Sequence, residues 1–226
     1  MTTSGTYDFD LDNLDIIEDA FEIVGGEARG GYDLRTARRS LNLLTKEWGN
    51  RGLNMWTIVS GSLPMPAGTV VLALPRETID IIEAAWRTGT PDAPSDRNLQ
   101  RISISQRTQI TEKLEPGTPT QFHVYRSLVP EVRLWPVPNE DGTLAFWYLR
   151  YIQDAGRYTN TMDVPGRFLP ALIYGLAYYL AMKTPAAADR VPTIKDEYDR
   201  QFMLAAEEDR DRASFRMVPD LSVYSR

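Results

Sequence analysis

The side chains that could do chemistry in this chain are a lone histidine, His123, and a carboxylate cluster, Glu207, Glu208, Asp209 and Asp211. His123 stands between Phe122 and Val124 in a stretch, residues 121–126, that reads as a strand. A Ser-His-Asp triad would have to be built inside that apolar neighbourhood, and a two-histidine zinc site cannot form within one chain. Such a histidine is expected to be half-buried and hydrogen-bonded. The absence of cysteine rules out thiolate metal sites, cysteine nucleophiles and disulfides, which fits assembly in a reducing cytoplasm. A carboxylate pair cleaves a glycosidic bond when it flanks the sugar at about 5 to 9 Å and one member keeps a raised pKa. The acids of the cluster share a polar helix end with Arg210 and Arg212, where pairing and hydration make them surface groups. That end is expected to be wet or to face something charged.

Two further groups invite a functional reading. Trp135, Phe146, Trp147, Tyr148 and Tyr151 could form a base-stacking platform, but aromatics on both faces of a strand more often pack a core and a subunit interface. Gly25-Gly26 and Gly30-Gly31 are not followed by Gly-Lys-Ser/Thr and not preceded by a strand, so they read as a helix stop and turn, not as a phosphate loop.

The elements that must position these residues follow from periodicity. Leu14, Ile17, Phe21 and Val24 predict a helix over residues 12–24, capped by Asp12. Leu34, Ala37, Leu41, Leu44 and Trp48 predict a second, capped by Asp33 and ending near Gly49 or Gly52. Leu169, Leu172, Ile173, Leu176, Ala177 and Leu180 give a third helix within residues 164–183, with Asp163 ahead of Pro165 at its start. After a Pro/Ala break, Ile194, Tyr198, Phe202 and Ala205 give a fourth over residues 192–213, so that the last two form a helical hairpin. Tyr174, Tyr178 and Tyr179 suit packed edges where the hydroxyl stays wet.

Between the helices, residues 55–152 are rich in β-branched and aromatic side chains. Val70, Leu72 and Leu74 alternate, residues 78–86 are read as strand, and residues 87–98 as an exposed loop. Residues 131–137 and 143–152, joined through 139–142, read as a hairpin. The expected fold is α+β: a helical bundle core formed by both ends of the chain, residues 12–52 and 164–213, with a β-rich insertion over 55–152 and an extended C-terminal arm over 214–226. The arm carries Phe215, Met217, Val218, Leu221 and Tyr224, apolar anchors too few for a core of their own, so it should order on a partner.

Charge is distributed unevenly. The chain of 226 residues, long enough for one large or two small domains, has a net charge of -6, yet residues 1–28 hold eight acids and no base. Residues 29–51 reverse the sign, with Arg29, Arg35, Arg38, Arg39, Lys46 and Arg51 against Asp33 and Glu47. A solvated helix exterior, pairing with the acidic N-terminus of a neighbouring subunit, and a nucleic-acid contact all fit this basic face. A pI near 5.0 is a poor match for a sequence-specific DNA binder and is compatible with a surface that DNA slides past. No signal peptide opens the chain, and its longest apolar stretch, 168–182, falls short of the roughly 20 residues that span a bilayer, so neither secretion nor membrane insertion is expected.

Several segments in order, residues 41–52 (LNLLTKEWGNRG) with Leu53-Asn54-Met55-Trp56, Gly117 to Pro119, residues 134–138 (LWPVP), Val164-Pro165, residues 168–172 (FLPAL), Gly175-Leu176-Ala177 and residues 202–210 (FMLAAEEDR), resemble the head-to-tail adaptor family of short-tailed bacteriophages, also called packaged-DNA stabilisation proteins. The resemblance covers most of the chain. It implies a structural, non-enzymatic virion protein without cofactors, assembled in the host cytoplasm and placed at the portal vertex and tail. It further implies a dodecameric ring that binds the portal protein and a downstream nozzle or tube protein, and through which double-stranded DNA passes without sequence-specific binding. Portal contact would fall to Phe215, Met217, Val218, Leu221 and Tyr224, and the subunit interface to Arg35, Arg38 and Arg39. Other readings are a soluble oligomeric binding module, or a peptidoglycan hydrolase using an acidic pair.

Overall fold

The computed structural model describes residues 3–6, 9–27, 30–52, 55–90 and 92–209. Helix α1, Asn13–Val24, opens on a capping box in which Asp12 accepts from the Leu14 and Asp15 amides while the Asp15 carboxylate accepts from the Asp12 amide. It closes at Gly25, whose φ of 87° is the left-handed conformation that glycine adopts without a Cβ penalty. Its buried face is Ile16, Ile17, Ala20 and Val24, leaving Leu14 and Phe21 only partly buried. Helix α2, Gly31–Arg51, begins at Gly30, ahead of the expected cap Asp33, and buries Ala37, Leu41, Leu44 and Trp48.

Nine strands and a short helix follow. They are β1 (Ile58–Met65), β2 (Leu72–Ala73), β3 (Thr78–Thr90), β4 (Ala93–Arg101), α3 (Ile104–Gln109), β5 (Pro116–Gly117), β6 (Gln121–Tyr125), β7 (Glu131–Trp135), β8 (Val137–Pro138) and β9 (Gly142–Arg150). Seven of the strands form one sheet in the order β1-β9-β3-β4-β6-β7-β2, antiparallel except for the β4–β6 pair, and β5 and β8 pair separately. The strand reading of residues 78–86 is borne out. Two expectations are corrected. Residues 87–98 are no loop: β3 and β4 pair through this region, Arg87 opposite Asp96 and Gly89 opposite Pro94, as a long ribbon. The expected hairpin between 131–137 and 143–152 does not form, because β7 pairs with β6 and β2 whereas β9 lies between β1 and β3.

The described residues end with two more helices. Residues 166–168 make a 3-10 turn, so α4, Leu169–Ala181, starts after it with Pro170 in its first turn, and Asp163 is not its cap. A second 3-10 segment, Pro185–Arg190, leads into α5, Val191–Glu208, with Asp209 at its C-cap; residues 210–213 of the expected helix lie outside the described residues. The fold therefore mixes five helices with a large sheet among the described residues.

Two hydrophobic clusters hold these elements. One draws Ile17 and Ala20 of α1, Leu41 and Trp48 of α2, Leu172 and Leu176 of α4, and Ile194 and Tyr198 of α5 into contact. Each such large side chain contributes about 1.5–3 kcal/mol on burial. Gly175 sets the spacing, since a Cβ there would stand 2.9 Å from both Leu44 Cδ2 and Tyr198 Cε2. The other cluster lies on the sheet, around Met65, Trp86, Phe122, Leu134 and Phe146. The described helices include none long and apolar enough to cross a membrane.

Candidate functional site

Of the groups that could support catalysis, His123 and Asp209 are held inside the fold, whereas Glu207 and Glu208 are exposed. His123 is buried in β6, with Nδ1 2.9 Å from the Ile102 carbonyl and its ring edge-on to Tyr125. Carboxyls shifted by their surroundings go down, against the direction a general acid needs. Arg87 grips Asp96 with two 2.7 Å hydrogen bonds and lowers its pKa. Burial raises the pKa of Asp163, but hydrogen bonds from Arg150 and from the Gln153 amide outweigh it and hold the carboxyl below the usual range. Arg200 and Gln201 pull Glu197 down to about 2. Among the described residues, no three His, Asp or Glu side chains gather where a metal ion could sit.

Asp209 departs from the reading of the acidic helix end as wet. Its side chain is only 3% exposed, pairs with Arg167 and accepts the Met55 amide at 2.8 Å. It thereby joins the end of α5 to the turn before α4 and to the residues that lead into β1. Beside it the Trp56 ring packs at a tilt against Phe168, centroids 4.6 Å apart, and its N–H donates to the Asp163 carbonyl, while Asp163 holds Arg150 at the end of β9. No sequence signal pointed to this joint, because the partners of Asp209 lie 42 and 154 positions away.

Unmet charge lies instead on two helix faces. On α1 the exposed acids Glu18, Asp19 and Glu22 make no ion pair among the described residues, and Asp19 and Glu22 flank a groove floored by Ile23, Ile173 and Tyr174. On α2, Arg35 and Arg39 are exposed and likewise meet no carboxylate among the described residues. Arg38 differs, its guanidinium lying over the Tyr158 ring at 5.7 Å and reaching the Gly156 carbonyl at 3.4 Å. Lys46 pairs with Asp154, and Arg51 with Glu47. Of the aromatic set, Phe146 and Tyr148 are core, whereas Trp147 and Tyr151 stay substantially exposed. A further groove of about 680 Å³ crosses the sheet face between Trp147, Glu83 and Arg101. Phe215, Met217, Val218, Leu221 and Tyr224 lie outside the described residues.

The chain belongs to the SU10 adaptor protein family, which matches residues 11–220. It is thus an adaptor of the phage virion, as the motif resemblance implied, and a structural protein by family. No curated protein matches it.

Proposed function

We propose that the chain is the head-to-tail adaptor subunit of a phage particle, forming a dodecameric ring between the portal and the tail that continues the DNA channel and helps to retain the packaged genome. The observation that carries the ring is the opposite charge of Asp19 and Glu22 on α1 and of Arg35 and Arg39 on α2, which form no ion pair among the described residues, since a cyclic assembly needs complementary patches at different places on each copy. Arg35 and Arg39 are the cations available for that contact, with Arg38 behind them. A net charge of -6 suits a channel that DNA crosses without being gripped.

The two clusters support a division into a helical bundle drawn from both ends of the chain, residues 12–52 and 164–213, and a β-rich insertion over 55–152. In this reading the insertion meets the downstream nozzle or tube protein, and the exposed side chains Leu114, Leu128 and Trp147 are available there. The arm, 214–226, reaches the portal through Phe215, Met217, Val218, Leu221 and Tyr224. Asp209, locked to Arg167, anchors the end of α5 ahead of that arm.

The test is co-sedimentation of the protein with the portal ring encoded in the same phage genome. Removing residues 214–226 should leave the adaptor able to form rings and weaken its portal binding by about tenfold or more, as loss of several buried anchors does. Equal binding by the truncated and full chains would contradict the assignment.

A further inference from the structure

We infer that neighbouring subunits join by seating the exposed stripe Tyr32, Arg35, Arg39 and Leu43 of α2 from one copy in the acidic groove between α1, α4 and α5 of the next. This rests on the ring proposed above and names both halves of its interface.

The acceptor is a continuous depression. Two hollows, of about 340 and 630 Å³, share Ile23 and Tyr174 as common floor. Asp19 and Glu22 of α1 line the first, and Asp189 and Asp196 line the second. None of these four acids forms an ion pair among the described residues. The cations nearby are engaged: Arg200 is held by Glu197 at 2.5 and 2.8 Å, and Arg190 points its Nη1 at the Ile23 carbonyl. An apolar floor beneath an acidic rim calls for a partner with apolar knobs flanked by cations.

The α2 stripe has that composition. Positions 32, 35, 39 and 43 fall on one side of a helix, at spacings of three and four residues. Tyr32 is 74% and Leu43 50% exposed, with the unpaired Arg35 and Arg39 between them. Positive charge is concentrated further by Lys183, whose Nζ donates to Ser40 Oγ at 2.6 Å and whose pKa is lowered by burial and by Arg39. This surface attracts an anion from outside its own subunit.

The two patches cannot satisfy each other within one copy. Arg39 neighbours Lys183, just past the C-terminal end of α4, whereas the groove takes Pro170 and Tyr174 from its first turns. At 1.5 Å per residue, residues 170 and 183 stand about 20 Å apart. Unlike patches at opposite ends of one packed helix make a head-to-tail contact, the kind of interface that propagates from copy to copy and that a ring requires.

Two charge-reversed variants test the pairing, R35E/R39E on the stripe and D19K/E22K in the groove, each examined by native mass spectrometry with and without the portal ring. All four positions are exposed, so circular dichroism and melting should match the parent protein. Each variant alone should lose assembly by about tenfold or more, since like charges then face each other. An equimolar mixture should recover it, as alternating subunits restore every stripe-to-groove pair and an even-numbered ring closes. If the parent protein forms rings and both variants do so equally, the interface is overturned and the ring stands. A parent protein that stays monomeric alone and on the portal overturns the ring and the interface together. Failure of the mixture to recover overturns the pairing, and a matching loss of DNA retention by R35E/R39E would assign the basic stripe to nucleic acid.

Discussion

Trp48 Nε1 donates a 2.8 Å hydrogen bond to the Tyr198 hydroxyl inside the contact between α2 and α5. The hydroxyl in turn donates to Glu47 Oε1 at 3.2 Å, and the other oxygen of Glu47 takes the Tyr179 hydroxyl of α4 at 2.8 Å. One carboxylate on α2 therefore gathers the last two long helices, with Arg51 bound to it from one turn further on.

Replacing Tyr198 by Phe keeps the ring packing and strips the buried Trp48 N–H of this acceptor. Loss of one such intramolecular hydrogen bond costs about 0.5–1.5 kcal/mol. Urea unfolding of Y198F should show a lower midpoint with an unchanged slope, the midpoint shift multiplied by the slope matching that loss. A midpoint equal to the parent's would mean that the hydrogen bond contributes nothing.

The same network sets an alkaline limit. Burial first, and then donation to Glu47, pushes the Tyr179 pKa from 10.0 up to about 12, and burial also raises that of Tyr198. Above pH 10.0 the unfolded chain releases protons that the native chain keeps, so the stability they contribute is complete below that pH and declines as pH rises towards about 12. Denaturant midpoints measured across this window should fall more steeply for the parent than for Y179F. Identical curves would remove Tyr179 from the account.

At the Arg167–Asp209 joint the two partners are unequally buried, with side chains 40% and 3% exposed. Taking away Arg167 strands a buried carboxylate, whereas Asp209→Asn leaves a cation that water can reach. R167A should therefore destabilise by about 3 kcal/mol and D209N by about 1 kcal/mol. Equal losses in thermal or urea unfolding would show that the buried charge is not the source.

Asp163 predicts the acid limb. Its native pKa lies below 3.8, so the native state binds fewer protons than the unfolded one, and the stabilisation is full above that value and lost as pH falls through it. In acid titrations followed by circular dichroism, D163N should be less stable at neutral pH and lose less on acidification. An acid transition as steep as the parent's would exclude the Arg150–Asp163 pair as its origin.

How far the sequence disclosed this structure depended on whether a signal was local. The i, i+3, i+4 spacing of Leu41, Leu44 and Trp48 or of Leu172, Leu176 and Leu180 located long helices, because one face of each must be buried. The β4 strand was hidden because it is exposed at nearly every position, leaving no alternation, and Pro94 and Ser95 read as punctuation. Its ladder with β3, not side-chain burial, defines it. Strands β7 and β9 have the composition of a hairpin, but pairing is a choice among distant partners that composition does not encode. Asp209 looked solvated in a run of acids, and only Arg167, brought close by the fold, makes it a buried anchor. Of the proposed interface residues, Arg35 and Arg39 stood out by charge alone, while the groove proposed to receive them exists only once α1, α4 and α5 are packed.

Native mass spectrometry of the purified protein, alone and with the portal ring of the same phage genome, tests the adaptor reading most directly. The account predicts a portal complex heavier by one dodecameric ring of this chain. No binding to the portal, together with a stable small oligomer in solution, would contradict it.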